Sequence, residues 1–183
     1  SVDNFIEEVV DFMADKEVAS IFENCFPNTL DTTVFHSNNT SELSTFIITG
    51  DINAMWLRDS SAQVNQYIPF AKKDSSLKKM LFGLVNKQID FILFDSYANA
   101  FNNGPTGSEW QNDFTDMKLE LHERKWEIDS LCYPVRLAYN LWQSTGDFSI
   151  FSDKFKNAIL KILHTFKEQQ RKENDGPYKF GRS

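Results

Sequence analysis

Hydrophobic positions recur at helical spacing along most of the chain. Phe5, Ile6, Val9, Val10 and Met13 share one face of a helix expected over residues 3–13. Val18, Ile21, Phe22, Cys25 and Phe26 share a face over 16–26, and Pro27 stops that helix. The period then changes. Residues 32–35 and 45–49 are rich in β-branched and aromatic side chains, with a polar link between them, and predict a short antiparallel β pair closed by Gly50. Helical spacing returns with Val64, Tyr67 and Ile68. It is strictest from Leu77 through Leu81, Leu84, Gln88 and Ile92, in a helix expected from Ser75 or Ser76 to about Phe94. Leu131, Val135, Ala138, Leu141 and Trp142 mark another helix, stopped at Thr145-Gly146-Asp147. Phe155, Ile159, Ile162, Leu163 and Phe166 mark the last, over about 153–171.

Between residues 95 and 124 the helical period is lost. This reads as a long connection with a turn at Asn102-Asn103-Gly104-Pro105. A loop of that length inside a compact domain is commonly functional, and Phe101, Trp110 and Phe114 give it too much aromatic character for a solvated excursion.

One pattern occurs twice. Trp56-x-x-Asp59-Ser60 and Trp126-x-x-Asp129-Ser130 stand 70 residues apart, each where a helix begins. A fixed offset of that size points to a repeated unit of two helices and their loops. The predicted order is therefore two helices, a β pair and two helical hairpins. The fold class is mainly α, an α/α toroid or helical array in which the loops leading into equivalent helices share one rim. Asp59 or Ser60, and Asp129, are expected to cap those helices.

The chemistry on that rim is unusual for a core. Arg58 and Asp59 flank the first motif. Arg124, Lys125, Glu127 and Asp129 surround the second. Carboxylates, cations and flat indole rings together suit an object that is polar at its edge and apolar on its face, such as a sugar ring. Trp56 and Trp126 either stack on a pyranose or anchor their loops in the core.

Composition narrows the function classes. Hydrophobic residues make up 41%, ordinary for a globular domain, and 17 phenylalanines predict an aromatic-rich core. A formal net charge of −7 speaks against a nucleic-acid partner. No apolar run reaches the roughly 20 residues of a membrane span. Cys25 and Cys132 sit at apolar helical positions and are expected to be buried thiols. Asn38 and Asn39 each open an Asn-x-Ser/Thr sequon; if used, these favour the secretory pathway over a cytoplasmic location. The first residue is Ser1, consistent with a trimmed or processed chain. Nothing in the pattern selects an oligomeric state.

Three stretches carry a resemblance. Thr49-Gly-Asp-Ile-Asn-Ala-Met-Trp-Leu-Arg-Asp-Ser60, Arg124-Lys-Trp-Glu-Ile-Asp-Ser-Leu-Cys-Tyr-Pro134 and Gly176-Pro-Tyr-Lys-Phe-Gly-Arg182 resemble glycoside hydrolase family 125, over a region from about Phe22 to the end. The resemblance implies an α/α barrel of six helical hairpins and a metal-independent, inverting exo-α-1,6-mannosidase with no cofactor. The implied partner is a mannose-containing oligosaccharide or N-glycan. Inversion needs a carboxylic acid and a carboxylate base roughly 6.5–9.5 Å apart. The resemblance implies that both lie beyond Ser183, so no catalytic residue is expected in this chain. Trp56, Arg58, Asp59, Trp126, Glu127 and Asp129 are expected to bind substrate. Six hairpins of this size need on the order of 400 residues. Residues 1–183 are therefore expected to be the N-terminal portion of one barrel domain, inactive alone.

Three other readings compete. A non-catalytic carbohydrate-binding fragment uses the same residues. An active hydrolase would take Asp59 and Asp129 as its carboxylate pair. A metal–diphosphate site would use Asp113 and Asp116, whose spacing is a weak signal without a second acidic cluster. His122-Glu123 lacks the second histidine of a zinc-protease helix.

Overall fold

A computed structural model describes residues 1–37 and 42–183; the sequons at Asn38 and Asn39 lie outside the described residues. Helix α1 (Val2–Phe12) and helix α2 (Lys16–Cys25) pack together, and Asp15 caps α2 by accepting from the Glu17 and Val18 amides. Phe5, Phe22, Phe26 and Phe70 form the aromatic cluster between this pair and the body of the fold. That cluster sets the rotation of α2. Ala19, Phe22 and Phe26 turn inward, while Val18, Ile21 and Cys25, expected on the buried face, are exposed. Pro27 does end α2, but a short helix α3 (Asn28–Thr32) follows at once.

The β pair is present, shifted slightly in sequence. Strand β1 (Val34–Ser37) pairs antiparallel with β2 (Ser44–Ile47), with Val34 opposite Ile47. Strand β2 lies across helix α5 (Ser75–Phe94). The contact is close because residue 83 is glycine: a Cβ there would lie 2.5 Å from Thr45 Oγ1. Helix α5 is buried along most of its length and forms the centre of the core. It starts at Ser75, as its sequence predicts, and Asp74 caps it.

Helix α4 (Leu57–Gln63) precedes α5 and is followed by a 3-10 segment, Asn65–Phe70, that includes Pro69. Helix α6 (Ile128–Thr145) ends on Gly146, whose φ of 71° suits glycine, and helix α7 (Asp153–Gln169) is capped by Ser152. Helix α4 packs on α6 and α5 packs on α7, so alternate helices share a layer, as in an α/α toroid. Leu131, Leu137, Ala138 and Leu141 form the buried stripe of α6, which leaves Cys132 on the exposed side. On α7 the stripe is Phe155, Ala158, Ile162 and Thr165, and Leu163 faces outward.

The long connection has more structure than its sequence suggests. Strand β4 (Ala100–Phe101) pairs with both β3 (Met55–Trp56) and β5 (Leu121–Glu123), giving a three-stranded antiparallel sheet in the order β3-β4-β5. Strands of two or three residues carry no readable alternation. This small sheet runs directly into the starts of α4 and α6.

Among the described residues, no helix is long and apolar enough to cross a membrane.

Candidate sugar-binding rim

The small sheet fixes where the two Trp-x-x-Asp-Ser motifs meet. Trp56 ends β3 opposite Ala100, and Ala100 lies opposite Glu123 at the end of β5. Asn99, buried just before β4, ties both motif loops together. Its carbonyl accepts from the Leu57 amide at 3.1 Å, its Oδ1 accepts from the Lys125 amide at 3.1 Å, and its Nδ2 donates to Glu123 Oε2 at 2.6 Å.

Helices α4 and α6 therefore begin side by side. Each starts one or two residues before the aspartate expected to cap it: Trp56 and Glu127 hold the capping positions without side-chain hydrogen bonds. Asp59 and Asp129 fall inside the first turns, where a carboxylate still complements the helix dipole. Freed from capping, both point to one cation. Arg58 Nη1 donates to Asp129 Oδ2 at 3.0 Å. Arg58 Nη2 lies 3.3 Å from Asp59 Oδ2, and Nη1 lies 3.9 Å from Glu127 Oε2. Lys125 Nζ stands 3.5 Å from Glu127 Oε1. The Asp129 hydrogen bond, with the charges of Asp59, Asp129 and Glu127, raises the Arg58 pKa above its already high value, so the cation is permanent. The Arg58 and Asp129 side chains are each 40% exposed, so this cluster faces solvent and is open to a ligand.

The cluster is not self-satisfied. Trp126 Nε1 and Ser130 Oγ are buried atoms without a hydrogen-bond partner among the described residues, and Asp59 Oδ2, though 3.3 Å from Arg58 Nη2, makes an ion pair without a hydrogen bond. They comprise an acceptor, a donor and a hydroxyl, all within the repeated motifs. Buried polar atoms are nearly always paired, and hydroxyl groups, which both donate and accept, complement such a set.

Both indoles are half-buried. Trp56 meets the His122 ring edge-on with centroids 5.1 Å apart. His122 is buried, its Nδ1 lies 3.2 Å from Asn102 Oδ1, and desolvation pulls its pKa below the usual value, keeping the ring neutral. Trp126 is held by its backbone: its amide donates to the Tyr178 hydroxyl at 2.8 Å.

Arg124 belongs to the support of this rim and not to its surface. It is buried, its Nε donates to Asp95 Oδ2 at 2.8 Å, and its Nη1 donates to Thr115 Oγ1 at 2.8 Å. Asp113, the first aspartate of the weak metal pattern, is likewise occupied. Arg182 Nη1 lies 2.9 Å from its Oδ2 and the Ser183 amide 3.1 Å from its Oδ1, while Asp116 is exposed. Arg182 also pairs with Glu123. Among the described residues, no group of three or more His, Cys, Asp or Glu is placed to hold a metal ion. Asn99 carries no periodic signal in its short irregular segment, and Tyr178 and Arg182, although they lie within the third resemblance stretch, were not expected among the site residues.

Comparison with known proteins gives a consistent picture. A family described as metal-independent alpha-mannosidase (GH125) matches residues 15–183. A curated relative, the Meiotically up-regulated gene 157 protein of Schizosaccharomyces pombe, is 37% identical over 178 residues, covering 92% of this chain and 35% of the relative. A solved structure from Streptococcus pneumoniae, a metal-independent alpha mannosidase in a non-productive substrate complex with alpha-1,6-mannobiose, superposes with a TM-score of 0.90 at 42% identity. That match covers all of this chain and 42% of the other. The chain thus spans well under half the length of the proteins it matches.

Proposed function

This chain belongs to the GH125 family of metal-independent α-mannosidases, and on that premise we propose that the complete protein is a glycoside hydrolase releasing mannose from α-1,6-linked mannosides with inversion. The substrate class is a mannose-containing oligosaccharide, an N-glycan among them; the bacterial structure that matches the whole chain was solved with alpha-1,6-mannobiose in work on the processing of N-linked glycans.

The observation that carries this reading is the convergence of both motifs on Arg58. A guanidinium flanked by three carboxylates presents paired donors and acceptors at a spacing suited to vicinal hydroxyls. Arg58, Asp59, Glu127 and Asp129 hold the sugar through such bonds. Trp56 and Trp126 supply apolar surface beside them.

These carboxylates are binding groups and not the proton-transfer pair. Inverting hydrolysis needs an acid and a base facing each other across the scissile bond and a water, roughly 6.5–9.5 Å apart. Asp59 and Asp129 instead share one arginine as their ion-pair partner, and by resemblance both positions match the family's binding motifs and not its acid or base. The acid and base therefore come from outside residues 1–183, and this stretch alone does not turn over. The test is incubation of the complete protein with α-1,6-mannobiose, following the released sugar by proton NMR. β-Mannose appearing first supports the reading; α-mannose first, or no mannose from any α-mannoside, overturns it.

A further inference from the structure

The second motif is anchored by a residue far from it in sequence. The Tyr178 hydroxyl accepts from the Trp126 amide at 2.8 Å and donates to the Arg124 carbonyl at 3.3 Å. A phenol has one proton to give and lone pairs to receive, so one oxygen satisfies both sides of the Arg124–Trp126 turn. We propose that Tyr178 is a positioning residue: through this single hydroxyl it fixes the backbone from which Trp126, Glu127 and Asp129 project to grip the sugar.

Three features make Tyr178 a rigid anchor. Its side chain is buried, and its ring stacks on Tyr97 with centroids 5.0 Å apart and planes 4° from parallel. The Tyr97 hydroxyl donates to Glu168 Oε2 at 2.6 Å, which ties the stack to α7. The Arg124 guanidinium lies 5.3 Å from the Tyr97 ring and 5.5 Å from the Tyr178 ring, and is itself held by Asp95. The segment after Tyr178 is fastened separately, by the Phe114 amide to the Gly181 carbonyl at 2.8 Å and by Arg182 to Asp113. Burial also raises the Tyr178 pKa, so the phenol keeps its proton and its donor role at neutral pH. The loop that binds sugar is thus braced by α5, by α7 and by the segment following α7, in addition to the Asn99 bond that ties it to the first motif.

The consequence for turnover rests on the mannosidase reading; the hold on the loop does not. The test uses the complete protein and Tyr178→Phe, which keeps the ring and removes one oxygen. Hydrogen exchange of the Trp126 amide should quicken by about tenfold or more once its acceptor is gone. On α-1,6-mannobiose, kcat/KM should fall by about two- to tenfold, chiefly through KM, the scale of one lost neutral hydrogen bond. Tyr97→Phe removes a hydroxyl from the same stack but leaves the acceptor of the Trp126 amide in place, and should quicken Trp126 exchange much less than Tyr178→Phe does. Unchanged Trp126 exchange in Tyr178→Phe, equal acceleration in both variants, or faster exchange with unaltered kinetics would each overturn the proposal. Should Tyr178→Phe not fold, 3-fluorotyrosine at 178 weakens the acceptor at constant shape, and the same exchange readout decides. A wild-type protein inactive on every α-mannoside would defeat the mannosidase reading and leave the exchange result standing.

Discussion

Arg58 and Asp129 are 71 residues apart in the chain and 3.0 Å apart in space. Each belongs to one copy of the same motif, so the contact joins the starts of two equivalent helices. The pair is 40% exposed on either side, where an ion pair contributes only about 0–1 kcal/mol to stability. On the proposed reading, its value lies in presenting a fixed set of donors and acceptors to a ligand.

That difference in scale gives the first prediction. Arg58→Ala in the complete protein should change the free energy of unfolding in urea by no more than about 1 kcal/mol. It should weaken mannoside binding by about 2–3 kcal/mol, because charge-assisted hydrogen bonds to sugar are lost. A variant that loses stability and binding in equal measure would make Arg58 a structural residue.

Gly83 offers a case in which two known effects oppose. Alanine in a helix interior is favoured over glycine by about 1 kcal/mol. A Cβ at position 83, however, meets Thr45 Oγ1 at 2.5 Å and Ser44 backbone atoms at 3.1 Å. Thr45 cannot swing away freely, since its hydroxyl donates to the Met80 carbonyl at 2.7 Å. Overpacking of this kind costs about 1–3 kcal/mol, and backbone on the far side puts it toward the upper end. Gly83→Ala should therefore lower the melting temperature; a rise would show that β2 can retreat from α5.

A pH-dependent contribution comes from Lys78 and Asp147, 2.5 Å apart, which join the start of α5 to the turn after α6. The Lys78 hydrogen bond, with help from Ser149, holds the Asp147 pKa at about 2, below the ordinary 3.8. A depressed carboxylate pKa adds stability above the unfolded value, and that stability is lost as pH falls through the folded value. The melting temperature of Asp147→Asn should thus lie below wild type at pH 5 and converge with it as pH falls from about 4 to about 2. A gap that persists unchanged at pH 2 would assign the effect to the hydrogen bond to Ser149 and not to charge.

Residues 1–183 expressed alone should not release mannose, and should self-associate. Among the described residues Phe148, Leu160 and Leu163 are more than half exposed, on the turn before α7 and on α7 itself. An open array of helical hairpins leaves such faces uncovered. The checks are mannose release relative to the complete protein and sedimentation velocity. Turnover within about tenfold of the complete protein would return the proton-transfer pair to this chain, since loss of even one such group typically costs about 10²–10⁴.

Much of this organisation was legible in the sequence because it is periodic or repeated. The helical stripes placed α5, α6 and α7 within a few residues, and the repeated motif brought Arg58, Asp59, Glu127 and Asp129 to one rim. Other features were not legible. The facing of α2 depends on which aromatic rings cluster, and Ala19, with little hydrophobic weight, marks the true stripe. Cys132 sits one position off the buried stripe of α6, a distinction finer than pattern reading allows. The β3-β4-β5 sheet rests on strands of two and three residues, and Asn99 and Tyr178 act through backbone amides that any residue would supply. The expected aspartate caps failed for a related reason: the helices start earlier, and the carboxylates are drawn to Arg58.

The central claim is that the rim carboxylates hold the sugar and leave proton transfer to groups elsewhere. The most direct measurement is the anomeric outcome and azide response of Asp129→Asn in the complete protein, with α-1,6-mannobiose followed by proton NMR. The claim predicts slower release with β-mannose still formed first and no acceleration by azide, since the acid and base are intact. An inactive variant whose turnover is restored by azide, through a mannosyl azide product, would make Asp129 a catalytic carboxylate and contradict the account.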